Sequence, residues 1–194
     1  SAAHTYGAPI VGAEAFTADR EQPWMSHPAS LKGLGDRAFC DGVNRFIFHR
    51  YAHQPWPDRK PGVTMGPWGV HYEHTQTWWD LTPAWHEYLA RCQYMLRQGN
   101  FVADICYLRP EIAPQGFELI ERDGYDYDVC SAEVVIDRMQ VEDGRLVLPD
   151  GMSYSLLVLS GAEAMTPELL RKLNKLADDG AKIVGTPPFR SVGL

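Results

Sequence analysis

Glu14 follows the short run Pro9-Ile10-Val11-Gly12-Ala13, where an apolar stretch gives way to Thr17. A carboxylate is rarely buried without a partner, so one placed at the end of a strand is a candidate acid or base. The string "RFIFHRYAH" sets His49 and His53 in the corresponding place after a second apolar run. The segment that follows carries Trp68, His71, Glu73, His74, Gln76, Trp78 and Trp79. Such a set suits carbohydrate chemistry. Glu14 and Glu73 would be catalytic carboxylates, His49, His53, His71 and Gln76 would hold hydroxyl groups, and Trp68, Trp78 and Trp79 would offer flat faces to a sugar ring.

Each assignment has a structural competitor. Glu14 could make a salt bridge or cap a helix, and His49 and His53 could be core or hinge residues. Trp78 and Trp79 cannot both face one ligand on a strand, so at least one is expected to pack. In "HYEH" the residues His71, Glu73 and His74 come together, but the spacing matches no diagnostic metal motif, and metal ligands stay unassigned. His86 and Glu87 read as helix surface, and Asp126, Asp128 and Glu133 as a solvated helix start.

The elements that must position these residues follow from periodicity. Residues 9 to 13 read as a strand, and Leu31, Leu34, Ala38 and Phe39 are spaced for a helix that stops at Gly42. Residues 45 to 51 read as a strand covered on both faces. Residues 52 to 82, rich in Pro, Gly, Trp and His, read as an ordered binding loop. Pro83 then opens a helix along Trp85, Leu89, Cys92 and Leu96 that closes at Gly99. Beyond Phe101 the chain reads as a strand at "FVADICYL" and a helix at "YDVCSAEVVIDRM". A strand, a Pro-Asp-Gly turn and a strand follow in "GRLVLPDGMSYSLLVLS", then a helix capped by Thr166 and a strand at "AKIVGTPP". This is the alternation of a parallel α/β arrangement, with a boundary near Gly99. In a barrel of parallel strands, Glu14, His49 and His53 would stand at the C-terminal mouth, where βα loops build sites.

Composition narrows the classes. The 194 residues are 45% hydrophobic and 11% aromatic, enough for a globular core, and a formal net charge of −7 without a basic stripe argues against a nucleic-acid partner. Apolar runs are too short to span a bilayer. The N-terminus shows no basic-then-apolar leader and no initiator Met, so an export signal upstream and a periplasmic or extracellular full-length protein are the expectation. Cys40, Cys92, Cys106 and Cys130 lack metal or redox spacing and read as free buried thiols.

The strings "GAEAFT", "GVNRFIFHRYAHQP", "PGVTMGPWGVHYEHTQTWWDLTPAWHEYLARCQYMLRQGNFVADICYLRPE" and "LVLPDGMSYSLLVL", occurring in order, resemble the C-terminal catalytic portion of glycoside hydrolase family 106, the α-L-rhamnosidases. The resemblance implies an α/β fold. Residues 1–99 would be the last strands and helices of a (β/α)8 barrel with its substrate loop at 52–82. Residues 100–194 would be a truncated flavodoxin-like, amidotransferase-like domain with no nucleophile elbow. It further implies inverting hydrolysis of terminal α-L-rhamnose from an oligosaccharide or glycoside, with a calcium ion holding the sugar through unassigned ligands. Glu14 is then the first candidate for the base and Glu73 the second, with the general acid on an earlier strand. With strand edges left unpaired, the segment alone is expected to be inactive. Rival readings are a β-galactosidase-like barrel glycosidase, a non-catalytic carbohydrate-binding protein, and a metal-dependent hydrolase on His71, Glu73 and His74.

Overall fold

The computed structural model describes residues 1–20, 24–64, 66–111, 123–161 and 163–191. They form two compact units, Ile10–Gly99 and Ser1–Pro9 together with Asn100–Leu194. The first nine residues thus depart from the expected 1–99 segment. Their short helix α1 (Ala2–Tyr6) is tied to the later residues: His4 Nδ1 lies 2.9 Å from Asp128 Oδ1, Arg138 Nε donates to Thr5 O at 3.1 Å, and the His4 ring stacks on Phe101.

In the Ile10–Gly99 unit, β1 (Gly12–Ala15) and helix α2 (Pro28–Cys40) lead to β2 (Arg45–Phe48), which pairs with β1 in parallel. The first strand lies later than residues 9 to 13, because Asn44 Oδ1 holds Val11 N and the register begins with Gly12 opposite Arg45. Glu14 therefore sits within the strand, opposite Ile47, and not beyond its end. Helix α2 starts at a His27 and Ser30 capping box with Pro28 in its first turn, and buries Leu31, Gly35 and Phe39 along one i, i+4 stripe. Leu34 falls off that stripe and is exposed, contrary to its expected core role.

Among the described residues only one face of the β1–β2 pair is covered. Ala15, Phe46 and Phe48 pack with Phe16, Leu31, Phe39, Trp85 and Leu89, the last two from helix α3 (Thr82–Met95). On the opposite face Gly12, Glu14, Arg45 and Ile47 are exposed, Ile47 by 56%. The expectation that residues 45 to 51 are covered on both sides fails for this reason.

The other unit is built on a four-stranded parallel sheet. Its strands are β3 (Ile105–Leu108), β4 (Tyr127–Cys130), β8 (Leu156–Leu159) and β10 (Ile183–Gly185), in the order β10-β8-β3-β4. An antiparallel meander of β5 (Gln140–Glu142), β6 (Arg145–Val147) and β7 (Ser153–Tyr154) precedes β8. The short β9 (Ala164–Met165) and β11 (Arg190–Ser191) pair in parallel. Helix α4 (Pro167–Asp178) buries Leu169, Leu173 and Leu176, and Thr166 caps it.

The helix expected over "YDVCSAEVVIDRM" is instead β4 followed by a single wide turn at Val134–Arg138. Alternation in β4 turns Asp128 and Cys130 inward. Asp128 is 1% exposed and accepts from Tyr154 Oη at 3.0 Å, so it is a buried carboxylate and not part of a solvated helix start. Cys106 and Cys130 are buried free thiols, and the bond from Cys130 together with burial pushes the Cys106 thiol up. Cys40 is exposed and Cys92 half-buried, against the expectation that all four are buried. Among the described residues no helix is long and apolar enough to cross a membrane.

Candidate active site

All the residues proposed for chemistry belong to the Ile10–Gly99 unit. Because β1 and β2 run in parallel, their C-terminal ends coincide, and main-chain bonds tie the later loop to them. Ala15 O accepts from His49 N at 3.0 Å, and Ala18 O accepts from Gly69 N at 3.1 Å. His49 O accepts from Val70 N at 3.0 Å, and Arg50 O accepts from Tyr72 N at 2.9 Å. Gly69 has φ of 94°, and a Cβ there would lie 2.9 Å from His49 Nδ1, so this close approach needs glycine.

The two carboxylates have opposite environments. Glu14 is exposed on the uncovered sheet face and accepts a hydrogen bond from Thr17 Oγ1 at 2.6 Å. Glu73 is 0% exposed and accepts from Gln54 Nε2 at 2.5 Å, from Thr75 N at 2.6 Å and from the Thr75 hydroxyl. Three donors on a buried carboxylate make Glu73 an anchor that folds the loop onto Gln54, a structural role beside the catalytic one expected for it.

His71 is buried, with Nδ1 3.1 Å from Gly69 O and its ring 3.9 Å from that of Trp24. Burial, and then the neighbouring Arg50 charge, holds the His71 pKa below the ordinary histidine value, so its ring is neutral near pH 7. Gln76 is spent on the loop itself, Nε2 donating to His71 O at 3.0 Å. Trp78 and Trp79 are in a turn that enters a 3-10 segment (Trp79–Leu81), not on a strand. Both pack on Tyr72, at 5.3 and 5.5 Å between ring centres. Tyr72 Oη lies 2.6 Å from His86 Nε2, and burial raises the phenol pKa to about 12. His49 carries a buried Nδ1 without a partner among the described residues. His53 and Trp68 are exposed, outside the Tyr72 ring cluster; His53 contributes a main-chain bridge to Val63.

The structure therefore joins His49, His71, Gln76, Trp78 and Trp79 around one loop and leaves His53 and Trp68 at its exterior. Two members of the cluster had gone unremarked. Arg50, directly after His49, is 8% exposed and donates from Nη2 to Gly66 O at 2.8 Å, while Trp24 covers His71. An ionisable residue closing the apolar run "RFIFHR" was the available signal for Arg50. His74 is exposed, and among the described residues no three His, Cys, Asp or Glu side chains gather closely enough to hold a metal ion.

Glu14 is an exposed carboxylate on the uncovered face of two parallel strands, whose C-terminal ends the histidine and tryptophan loop is bonded to. The sequence profile of glycoside hydrolase family 106, described as alpha-L-rhamnosidase, matches residues 1–194, and the chain belongs to that family. A protein of Formosa agariphila named "Putative beta-glucuronidase" is 41% identical over 197 residues, covering 100% of this chain and 17% of the relative. The solved structure of a rhamnosidase from Novosphingobium sp. PP1Y superposes with a TM-score of 0.86 at 31% identity, covering 97% of this chain and 18% of that one. The chain thus spans less than a fifth of the length of these relatives.

Proposed function

We propose that this chain is the C-terminal part of the catalytic barrel, with the start of a flavodoxin-like domain, of an enzyme that removes terminal α-L-rhamnose from glycans or glycosides by inversion. The observation that carries the reading is Glu14. It is an exposed carboxylate on an uncovered face of two parallel strands, in a chain matched along its whole length by the family profile. With β1 and β2 as neighbouring barrel strands, that face is the barrel interior, and Glu14 lies on the substrate side.

In this mechanism Glu14 acts as the base that takes a proton from water while the water oxygen attacks the anomeric carbon. A carboxylic acid from elsewhere in the full-length protein protonates the departing glycosidic oxygen on the opposite face. The two carboxyl groups stand about 6.5–9.5 Å apart to admit the water. Thr17 orients Glu14 through its hydroxyl. Calcium, implied by the resemblance, takes several oxygen ligands; among the described residues no three His, Cys, Asp or Glu side chains gather closely enough to hold a metal ion.

The test is Glu14→Gln in the full-length protein, assayed on an aryl α-L-rhamnoside. A fall in kcat of about 10²–10⁴-fold with folding intact is expected for loss of a general base. Turnover close to the parent's would remove Glu14 from the chemistry. A second reading, hydrolysis of a glucuronide, is favoured by the name of the Formosa relative. Aryl α-L-rhamnoside and aryl β-D-glucuronide, offered side by side, separate the two.

A further inference from the structure

Arg50 is a buried cation with few partners among the described residues. A guanidinium carries five N–H donors. Here Nη2 serves Gly66 O at 2.8 Å, while Nε and Nη1 have no acceptor among the described residues. Arg50 is 8% exposed, and a guanidinium buried with donors left unpaired is strongly unfavourable. Glu73, the nearby buried carboxylate, is already taken up by Gln54 and Thr75. His71, the titratable neighbour, is neutral near pH 7 and supplies no negative charge. His49 Nδ1, on the adjoining residue, is likewise buried and without a partner. Consecutive residues at one strand end therefore hold polar nitrogens that lack a shared acceptor.

His71, whose ring feels the Arg50 charge, carries an apolar ring platform. Trp24 lies over His71 with ring centres 3.9 Å apart and remains 43% exposed. Both residues have left-handed backbone, φ 68° for Trp24 and 50° for His71, a conformation that bulky side chains adopt only where surrounding structure enforces it. An aromatic face beside an unpaired guanidinium recognises a ring that bears an anion: the ring stacks and the planar carboxylate takes the N–H donors.

We propose that Arg50, with His49 and Trp24, forms a subsite for the carboxylate of a uronic acid residue in the substrate. The proposal rests on the rhamnosidase reading above and names the class of sugar next to the rhamnose that is released. Arg50 and His49 bind the carboxylate, and the chemistry at the anomeric carbon is untouched by them.

The experiment compares two disaccharides with the full-length protein, rhamnosyl-glucuronate and its carboxyl-reduced counterpart rhamnosyl-glucose, with an aryl α-L-rhamnoside as reference. The parent is expected to favour the acidic disaccharide by about tenfold or more in kcat/KM, mostly through KM. Arg50→Met is expected to bring that ratio close to one, and Arg50→Lys, which keeps the charge without the planar fork, to give an intermediate ratio. Equal kcat/KM for both disaccharides in the parent overturns the inference, and this holds even if the Arg50 variants fail to fold. An unchanged ratio in a folded Arg50→Met protein overturns it too. Failure of the rhamnosidase reading looks different: the parent would cleave neither the aryl rhamnoside nor either disaccharide.

Discussion

At the scale of single residues, burial separates side chains that look alike in the sequence. Glu14 and Glu73 both lie near histidines and tryptophans, yet one is exposed and the other is sealed under three donors. Glu73→Gln puts an amide N–H group against Gln54 or Thr75 and removes the charge that they solvate. It should cost about 2–4 kcal/mol in urea unfolding of the full-length protein; a change below about 0.5 kcal/mol would mean the loop does not depend on that anchor. Tyr72 gives a pH prediction. Its folded pKa of about 12 lies above the ordinary value of 10.0, so between these pH values the unfolded phenol ionises and the folded one does not. Its stabilisation is complete below the lower value and is lost as pH rises through the higher one, a decline of up to about 2 kcal/mol. Tyr72→Phe should flatten that decline in Tm measured from pH 9 to pH 12, and an equally steep decline in the variant would locate it elsewhere. Residue types and their order drew attention to His71, Trp78 and Trp79, which the structure packs in one loop, but also to His53 and Trp68, which are exposed, and passed over Trp24, which covers His71. They could not show that Gln76 and Glu73 are consumed by the loop, nor that Asp128 meets a partner 124 residues away at His4.

Elements were legible where their own residues determine them. Helix α4 has Thr166 before Pro167 and leucines on one stripe, so cap and periodicity agree before any tertiary contact is known. The structure adds a second partner, since Glu111 accepts from both Thr166 N and Thr166 Oγ1 at 2.8 Å. Thr166→Ala removes the cap to Leu169 N and half of the Glu111 contact, and should destabilise by about 1–2 kcal/mol; Thr166→Ser, which keeps the hydroxyl, should lose much less. Thermal unfolding of the two variants against the parent checks this. Illegibility arose where local pattern and tertiary pairing disagree. "YDVCSAEVVIDRM" reads as a helix on its own, but Tyr127–Cys130 pairs residue for residue with Ile105–Leu108, and the strand wins because that edge of β3 is otherwise open. The first strand shifted for a similar reason: its register is set by β2, more than thirty residues later, and not by its own apolar run.

For the molecule as a whole, the informative feature is what β1 and β2 leave uncovered. One face of the pair is packed with Phe16, Leu31 and Phe39, while the other presents Gly12, Glu14, Arg45 and Ile47. A parallel pair exposed on one side is unusual, because parallel strands are normally covered on both. The apolar run "FIF" anticipated two covered faces, and within these residues only one is. The chain amounts to 17–18% of the length of the two relatives, and in the (β/α)8 barrel proposed above the missing cover comes from the rest of a longer protein. Ile47 decides between the alternatives. A side chain that stays 56% exposed tolerates Ile47→Ser within about 0.5 kcal/mol, whereas one packed in a barrel interior loses about 2–4 kcal/mol on truncation and burial of a hydroxyl. Urea unfolding of full-length Ile47→Ser should give the larger loss, together with reduced turnover, because Ile47 stands opposite Glu14 in the strand register. A stability and turnover equal to the parent's would leave the face open to solvent, and would take away the geometric reason for placing Glu14 at a barrel mouth.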